Sequence, residues 1–287
     1  MKVSIVITTA CRKSLRSTLE GLARQRAKPD EVLLVHSCDK SFLTEVIEGF
    51  EKPLNVQAAP QEGLGIPGAV NTAIRRFEGD VAIFIDDDAI PPRPWVGRYV
   101  EALDALGEEY AGVSSRDVLF EPSGALLRGP DERPLVRLYR WFFALPLRKP
   151  LPILKDYRLG VYVDRKYSIA HGPCIPYSSC LSLPLRGANM AFRRQALDGA
   201  ELPELPGWAR GTGYEQYLGL LAVLRGYKYA YIPSNPILHL ARGGVSRIKI
   251  DERVAALERA LVAQILRESV NRYVGYVARA RRSSTND

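Results

Sequence analysis

Val81-Ala82-Ile83-Phe84-Ile85-Asp86-Asp87-Asp88 carries five apolar residues straight into three carboxylates, and Pro91, Pro92 and Pro94 follow. An unbroken apolar run rich in β-branched residues predicts a strand buried on both faces, the kind found in parallel sheets. Open α/β sheets bind ligands at the carboxyl ends of their strands, which is where this acidic cluster falls. Adjacent carboxylates repel one another, so grouping them in a folded protein calls for a cation. In an extended chain Asp86 and Asp88 point to one side and Asp87 to the other. Two same-side carboxylates suit Mg²⁺ or Mn²⁺, which take hard oxygen ligands and leave positions open for phosphate oxygens. A solvated acidic turn is the alternative. The place after a buried strand favours the metal.

Upstream, Val3 to Thr8 reads as a buried strand, and Ser14 to Arg26 as a helix with Leu15, Leu19, Leu22 and Ala23 on one side and Ser14 as its cap. Glu31 to His36 is a second strand, Ser41 to Phe50 a helix, and Leu54 to Ala58 a short third strand. Gly63-Leu64-Gly65-Ile66-Pro67-Gly68 is a glycine-rich turn before a helix through Val70, Ala73, Ile74 and Phe77. Its amides either face phosphate or form a plain turn. This strand–helix alternation predicts an α/β fold with a mostly parallel sheet and crossover helices.

Downstream, Trp95 to Leu106 reads as a helix and Tyr110 to Ser115 as a strand. From 116 to 180 the pattern degrades into an insertion. Arg140-Trp141-Phe142-Phe143-Ala144-Leu145-Pro146-Leu147-Arg148-Lys149 suits either packing on the core through its aromatics, which is the favoured reading, or contact with a membrane surface. Order returns with Leu183 to Arg194, a helix over Gly213 to Gly226, a strand over Tyr227 to Ile232, and Pro233 to Leu240 bearing His239. A long helix follows from Asp251, its plausible N-cap, to Arg282. Its apolar stripe of Val254, Leu257, Leu261, Ile265, Leu266, Val270, Tyr273 and Val277 predicts core packing or a homodimer interface, with membrane docking through its basic end as the second reading.

The 287 residues carry a formal charge of +8, too little to mark a nucleic-acid binder and compatible with an anionic ligand or membrane surface. The N-terminus lacks a signal-peptide pattern, and no apolar run is long enough to span a bilayer. These features predict a cytoplasmic protein with at most peripheral contact at the inner face of the membrane. Four cysteines, Cys11, Cys38, Cys174 and Cys180, are too few for a disulfide scaffold, and the sequence leaves a Cys174–Cys180 bond open. His171, Cys174 and Cys180 match no standard zinc spacing.

Four segments in order resemble the inverting family 2 glycosyltransferases. They are the strand Val3 to Thr9, then Gly65 to Asn71 with Gly79 to Asp88, then Arg186-Gly187-Ala188-Asn189-Met190-Ala191-Phe192-Arg193-Arg194, and last Tyr214-Glu215 with Leu218, Gly226-Tyr227-Lys228, Pro233 and His239. The resemblance implies a GT-A (Rossmann-like) domain over 1–245, with a nucleotide-binding half 1–115, the insertion 116–180 and an acceptor-side half 181–245. A C-terminal helical extension and basic tail would occupy 246–287. It implies an enzyme that transfers a sugar from a nucleoside-diphosphate donor, UDP-linked or else GDP-mannose, to a hydroxyl of a saccharide or lipid-linked glycan. Asp86 and Asp88 would hold Mg²⁺ or Mn²⁺, with His239 as third ligand or as a contact to the diphosphate. Thr8, Thr9, Asp39, Asn71 and Asp87 would line the nucleotide pocket. Gly187, Asn189 and Trp208 would line the donor-sugar and acceptor side. Glu215 would be the general base, and Arg242 and Arg247 would close over the diphosphate.

The chain departs from the family pattern at two places. His36-Ser37-Cys38-Asp39 stands where an acidic pair often grips the nucleotide base, and Tyr214-Glu215 keeps one acid of the usual pair. Two competing readings follow. A nucleotidyltransferase would use Arg12 and Lys13 as a phosphate loop after the first strand, and a non-catalytic sugar-nucleotide or polysaccharide binder would keep the pocket without turnover.

Overall fold

The computed structural model describes residues 1–121, 123–240 and 252–283. The chain enters as β1 (Val3–Thr9), crosses through α1 (Leu15–Ala23) to β2 (Glu31–His36), through α2 (Lys40–Ile47) and the short α3 (Glu51–Leu54) to β3 (Val56–Pro60), and through α4 (Gly65–Arg76) to β4 (Val81–Asp86). These strands lie in the spatial order β4-β1-β2-β3, all parallel. Every residue of β4 is buried except Asp86, which sits half-exposed at its carboxyl end.

After β5 (Ala89–Ile90), helix α5 (Trp95–Leu106) returns the chain to β6 (Tyr110–Ser114). The chain continues through β7 (Asp117–Phe120), β8 (Leu126–Leu127), α6 (Pro134–Tyr139), α7 (Leu145–Leu147), the β9 (Val161–Val163) and β10 (Ile169–His171) hairpin, whose Val161 and Val163 are in the core on one face of the sheet, and β11 (Cys180–Leu181). Strand β12 (Asn189–Arg193) then lies antiparallel between β4 and β6. Helices α8 (Arg194–Leu197) and α9 (Tyr214–Leu224) lead to β13 (Lys228–Tyr231), then β14 (Ile237–Leu240) and α10 (Glu252–Ser283). The large sheet thus reads β11-β13-β6-β12-β4-β1-β2-β3, with four parallel and three antiparallel pairings. The expected mostly parallel sheet is parallel throughout in its first half and mixed in its second.

Both faces of the sheet are covered, as the near-continuous apolar strands require. Alternation sends Ile5, Ile7, Ile83 and Ile85 to one side, against Leu15, Leu19, Trp95 and Tyr99 of α1 and α5. It sends Val6 and Phe84 to the other, against Val70 and Ala73 of α4 and Leu218 of α9. Of the α10 stripe, Ile265 and Leu266 are buried with Val262, while Val254 and Leu257 are exposed. That helix therefore packs on the core over its middle turns.

A second, small sheet in the order β5-β14-β7-β8 stands at the carboxyl edge of the first. Strand β14 runs antiparallel to β5 and parallel to β7, so His239 lies opposite Ala89 on one side and Leu119 on the other. Residues 117–120, which read as the start of the insertion, are thus part of the wall that carries His239.

Several expectations change. Ser14 does not cap α1; among the described residues its buried hydroxyl has no hydrogen-bond partner, and the helix starts without a side-chain cap. Cys11 and Cys38 form a disulfide, Cα atoms 5.3 Å apart, joining the loops that follow β1 and β2. Cys174 and Cys180 remain free thiols. The aromatics of 140–149 do not pack on the core: Trp141, Phe142 and Phe143 are exposed. Asp251, Arg242 and Arg247 lie outside the described residues. No helix among the described residues is long and apolar enough to cross a membrane.

Candidate metal centre and active site

Register alone brings the acids to the switch from strand to loop. Asp86 ends β4 beside Thr8 of β1. Asp86, Asp88 and His239 each offer one ligand atom, all within 4.8 Å of one another. His239 Nε2 is 3.0 Å from Asp88 Oδ1 and 3.7 Å from Asp86 Oδ2. Asp87 points elsewhere, as alternation requires: it accepts a hydrogen bond of 2.6 Å from Thr9 Oγ1. Arg12 reaches both Asp87 and Asp88, at 3.2 and 3.0 Å. This arginine turns inward onto carboxylates rather than outward as part of a phosphate loop.

The electrostatics fit a cation site. Burial raises Asp86 to about 6; His239 opposes the rise, and the charges of Asp88 and Asp87 add to it. Burial by itself would lower the His239 imidazole, but hydrogen bonds to Asp117 and Asp88 outweigh it and raise the group to about 10. An imidazolium here fills the place of a cation among three acids. A divalent ion bound at this triangle would displace that proton, so its affinity rises with pH. Two carboxylates and an imidazole are a donor set that suits Mn²⁺ or Mg²⁺ with positions left for phosphate.

Asp117 is the residue that the sequence reading missed. Its Oδ2 is 3.0 Å from His239 Nδ1, the position from which an outer carboxylate would fix the tautomer and orientation of the ring were His239 to ligate a metal. Burial would raise Asp117, but the His239 hydrogen bond and the Arg186 charge hold it below the ordinary carboxylate range. Arg186 Nε lies 2.9 Å from Asp117 Oδ1, and Arg186 Nη2 lies 3.5 Å from Asp131 Oδ2. Asp131 in turn pairs with Arg140 and lies 3.2 Å from His171. A chain of alternating charge therefore runs from the triangle into the 116–180 segment. We expect Asp117→Asn to weaken Mn²⁺ binding about 10- to 100-fold while leaving the melting temperature close to wild type, measured by titration calorimetry and thermal unfolding.

Glu215 opens α9, behind the left-handed Gly213. Burial raises it to about 7; its own backbone amide, Gln216 and Arg186 oppose the rise, and Asp86 adds to it. Glu215 therefore feels both the metal-side acids and Arg186. Gly187 faces Tyr214 so closely that a Cβ there would lie 1.9 Å from the Tyr214 hydroxyl. Any larger residue here would force the Tyr214 ring to shift.

Other expected site residues are used structurally. Asn189 is fully buried, and its amide holds four partners: Oδ1 accepts from Trp95 Nε1 and Tyr99 Oη at 2.8 and 2.6 Å, and Nδ2 donates to the carbonyls of Arg116 and Asn235 at 2.8 and 3.0 Å. It ties the segments leading into β7 and β14 together and has nothing left for a sugar. Asn71 is likewise buried, clasping the backbone of Leu202 and Glu204 Oε1. Trp208 is buried, with Nε1 donating to the Thr212 carbonyl at 2.8 Å. Asp39 is exposed and caps α2 through the Phe42 amide at 2.8 Å. The glycine turn is a plain turn. Leu64 N donates to Glu204 and Ile66 N to the Ala209 carbonyl, and a Cβ on Gly65 would lie 2.1 Å from that oxygen. Thr8 stays half-exposed beside Asp86. A cavity of about 570 Å³ beside α9 and α10, lined by Tyr217, Arg272 and Tyr273 among others, contains none of the expected site residues.

A family model described as Glycosyl transferase family 2 matches residues 4–146. No curated protein sequence matches the chain. Among solved structures, S. aureus TarS 1–349 in complex with UDP-GlcNAc has a TM-score of 0.52 at 18% identity, covering 96% of this chain and 73% of that one. GalNAc-T7 with UDP, GalNAc and Mn²⁺ has a TM-score of 0.61 at 15% identity, covering 84% and 44%. The mannosyltransferase PcManGT from Pyrobaculum calidifontis, with GDP-Man and Mn²⁺, has a TM-score of 0.59 at 17% identity, covering 94% and 64%. Against a longer TarS structure the chain spans 43% of that protein's length. These likenesses establish the GT-A fold.

Proposed function

Since residues 4–146 match glycosyl transferase family 2, we propose that the chain transfers a sugar with inversion from a nucleoside-diphosphate donor to a hydroxyl acceptor. The observation that carries this reading is the Asp86, Asp88 and His239 triangle, with Glu215 in its electrostatic reach. Asp86, Asp88 and His239 Nε2 would hold Mn²⁺ or Mg²⁺. When bound, the cation supplies charge stabilisation for the diphosphate as it leaves.

The chain's own residues account for the rest. Glu215 accepts the proton of the acceptor hydroxyl as that oxygen forms its bond to the anomeric carbon. The bond from that carbon to the β-phosphate oxygen breaks, and its electron pair departs with the nucleoside diphosphate. A single displacement of this kind inverts the anomeric centre. Asp117 keeps the imidazole aimed at the acids, and Arg186 balances Asp117 and Asp131 so that the wall bearing β14 holds its charge. Thr8, at the carboxyl end of β1, faces the place where the nucleotide would lie, and Arg12 holds Asp87 and Asp88 from the same edge.

Structures of this fold hold both UDP- and GDP-linked sugars. UDP-sugars are our first choice of donor, and a thermal-shift screen of both classes with Mn²⁺ tests it, since bound donor stabilises the fold by mass action. A base raised to about 7 is protonated at acid pH and competent above it. At saturating Mn²⁺, kcat/KM is therefore expected to rise with pH and level off above about 7.5. A flat profile between pH 5.5 and 8 would remove Glu215 from that role. The inward-facing Arg12 disfavours a nucleotidyltransferase.

A further inference from the structure

The segment from Pro134 to Leu147 is built inside out. It runs as α6, a wider π-helical turn over Arg140–Ala144, and α7. On a helix lying against a protein in water, apolar residues turn inward and charges outward. Here the buried positions are Arg140, paired with Asp131 and the Ile175 carbonyl, and Ala144 one turn later. Leu135, Leu138, Trp141, Phe142, Phe143 and Leu147 all face solvent, with Leu135 80% and Phe142 67% exposed. An apolar surface of this size on a helix needs an occupant.

Charge identifies that occupant. From Arg133 to Lys155 the chain carries six cations and not one carboxylate; Arg140 and Arg148 pair with Asp131 and Asp164, which leaves Arg133, Arg137, Lys149 and Lys155 to face a partner. Of the six cations only Arg140 is buried. A second copy of this chain would set two such cationic faces against each other. An anionic bilayer meets both features: aromatic and leucine side chains enter the headgroup boundary, and the flanking arginine and lysine heads reach lipid phosphates. We propose that the 133–149 face docks this protein on an anionic lipid bilayer, with Trp141, Phe142 and Phe143 inserted. Arg140 shares Asp131 with Arg186, which pairs with Asp117. The docked face thus adjoins the wall of the candidate active site, and a lipid-borne acceptor would arrive beside it.

The test uses the full chain and vesicles of phosphatidylcholine alone or mixed equally with phosphatidylglycerol. Trp95 and Trp208 are fully buried, so a change in tryptophan emission reports Trp141. We expect co-sedimentation at least about tenfold stronger on the anionic vesicles, weakened by salt, with a blue shift of the emission. The double substitution Phe142→Glu with Phe143→Glu should lower partitioning more than about tenfold without changing the melting temperature or donor hydrolysis. Wild-type protein that neither sediments nor shifts its emission would overturn the proposal, as would equal binding by the double variant. A lipid-free blue shift that grows with protein concentration as the mass doubles would assign the face to a second copy instead. Vesicle binding needs no turnover, so failure here and failure of the glycosyltransferase reading are separately visible.

Discussion

Replacing Asp88 with Asn is expected to abolish metal-dependent donor binding. Asp88 gives one oxygen to His239 and the other to Arg12, each at 3.0 Å, and it is one of three groups in the ligand triangle. The amide keeps the shape but removes the charge, and it places an NH₂ against either the imidazole or the guanidinium. The cation loses a direct ligand, so affinity for UDP in the presence of Mn²⁺ should fall by at least on the order of 100-fold, the upper end of what losing an outer partner costs. Binding of UDP without Mn²⁺ should change little. Because Asp88 is buried, thermal unfolding run in parallel separates a lost site from a lost fold. Wild-type affinity for UDP with Mn²⁺ in the variant would refute the ligand assignment.

Glu215→Gln should be the second large effect and of a different kind. The glutamine is isosteric, so donor binding should stay within about threefold of wild type, while kcat falls by about 10²- to 10⁴-fold, the range for loss of a general base. The residual activity should also lose its rise through neutral pH. Unchanged kcat would place the base elsewhere. Absent turnover in both proteins, with donor binding intact in both, would favour the non-catalytic binder.

The buried strand and its acids were legible because periodicity and a chemical anomaly coincide there: Val81 to Ile85 can only be core, and three carboxylates at its end need a reason. His239 was legible only through the family resemblance, since its place depends on β14 pairing with β5 and β7, a contact across 120 residues and more. Asp117 left a usable trace, an acid just beyond the buried strand Tyr110–Ser114, the same pattern that singled out Asp86. Asn71, Asn189 and Trp208 show the opposite case. A motif marks them, but their hydrogen bonds are spent on neighbouring backbone and side chains, and only coordinates reveal which polar groups are already satisfied. The Cys11–Cys38 bond depends on two loops meeting at one sheet edge, which spacing in the chain does not encode. The exposed aromatics of 141–143 reversed the usual rule that such residues are buried, because the helix spends its inward stripe on Arg140.

The most direct measurement is anomalous diffraction from crystals grown with Mn²⁺ and UDP. The account predicts one strong manganese peak coordinated by carboxylate oxygens of Asp86 and Asp88 and by His239 Nε2, with diphosphate oxygens completing its shell and Asp117 still on Nδ1. A UDP bound at the carboxyl edge of β1 and β4 with no manganese between it and those acids would contradict it.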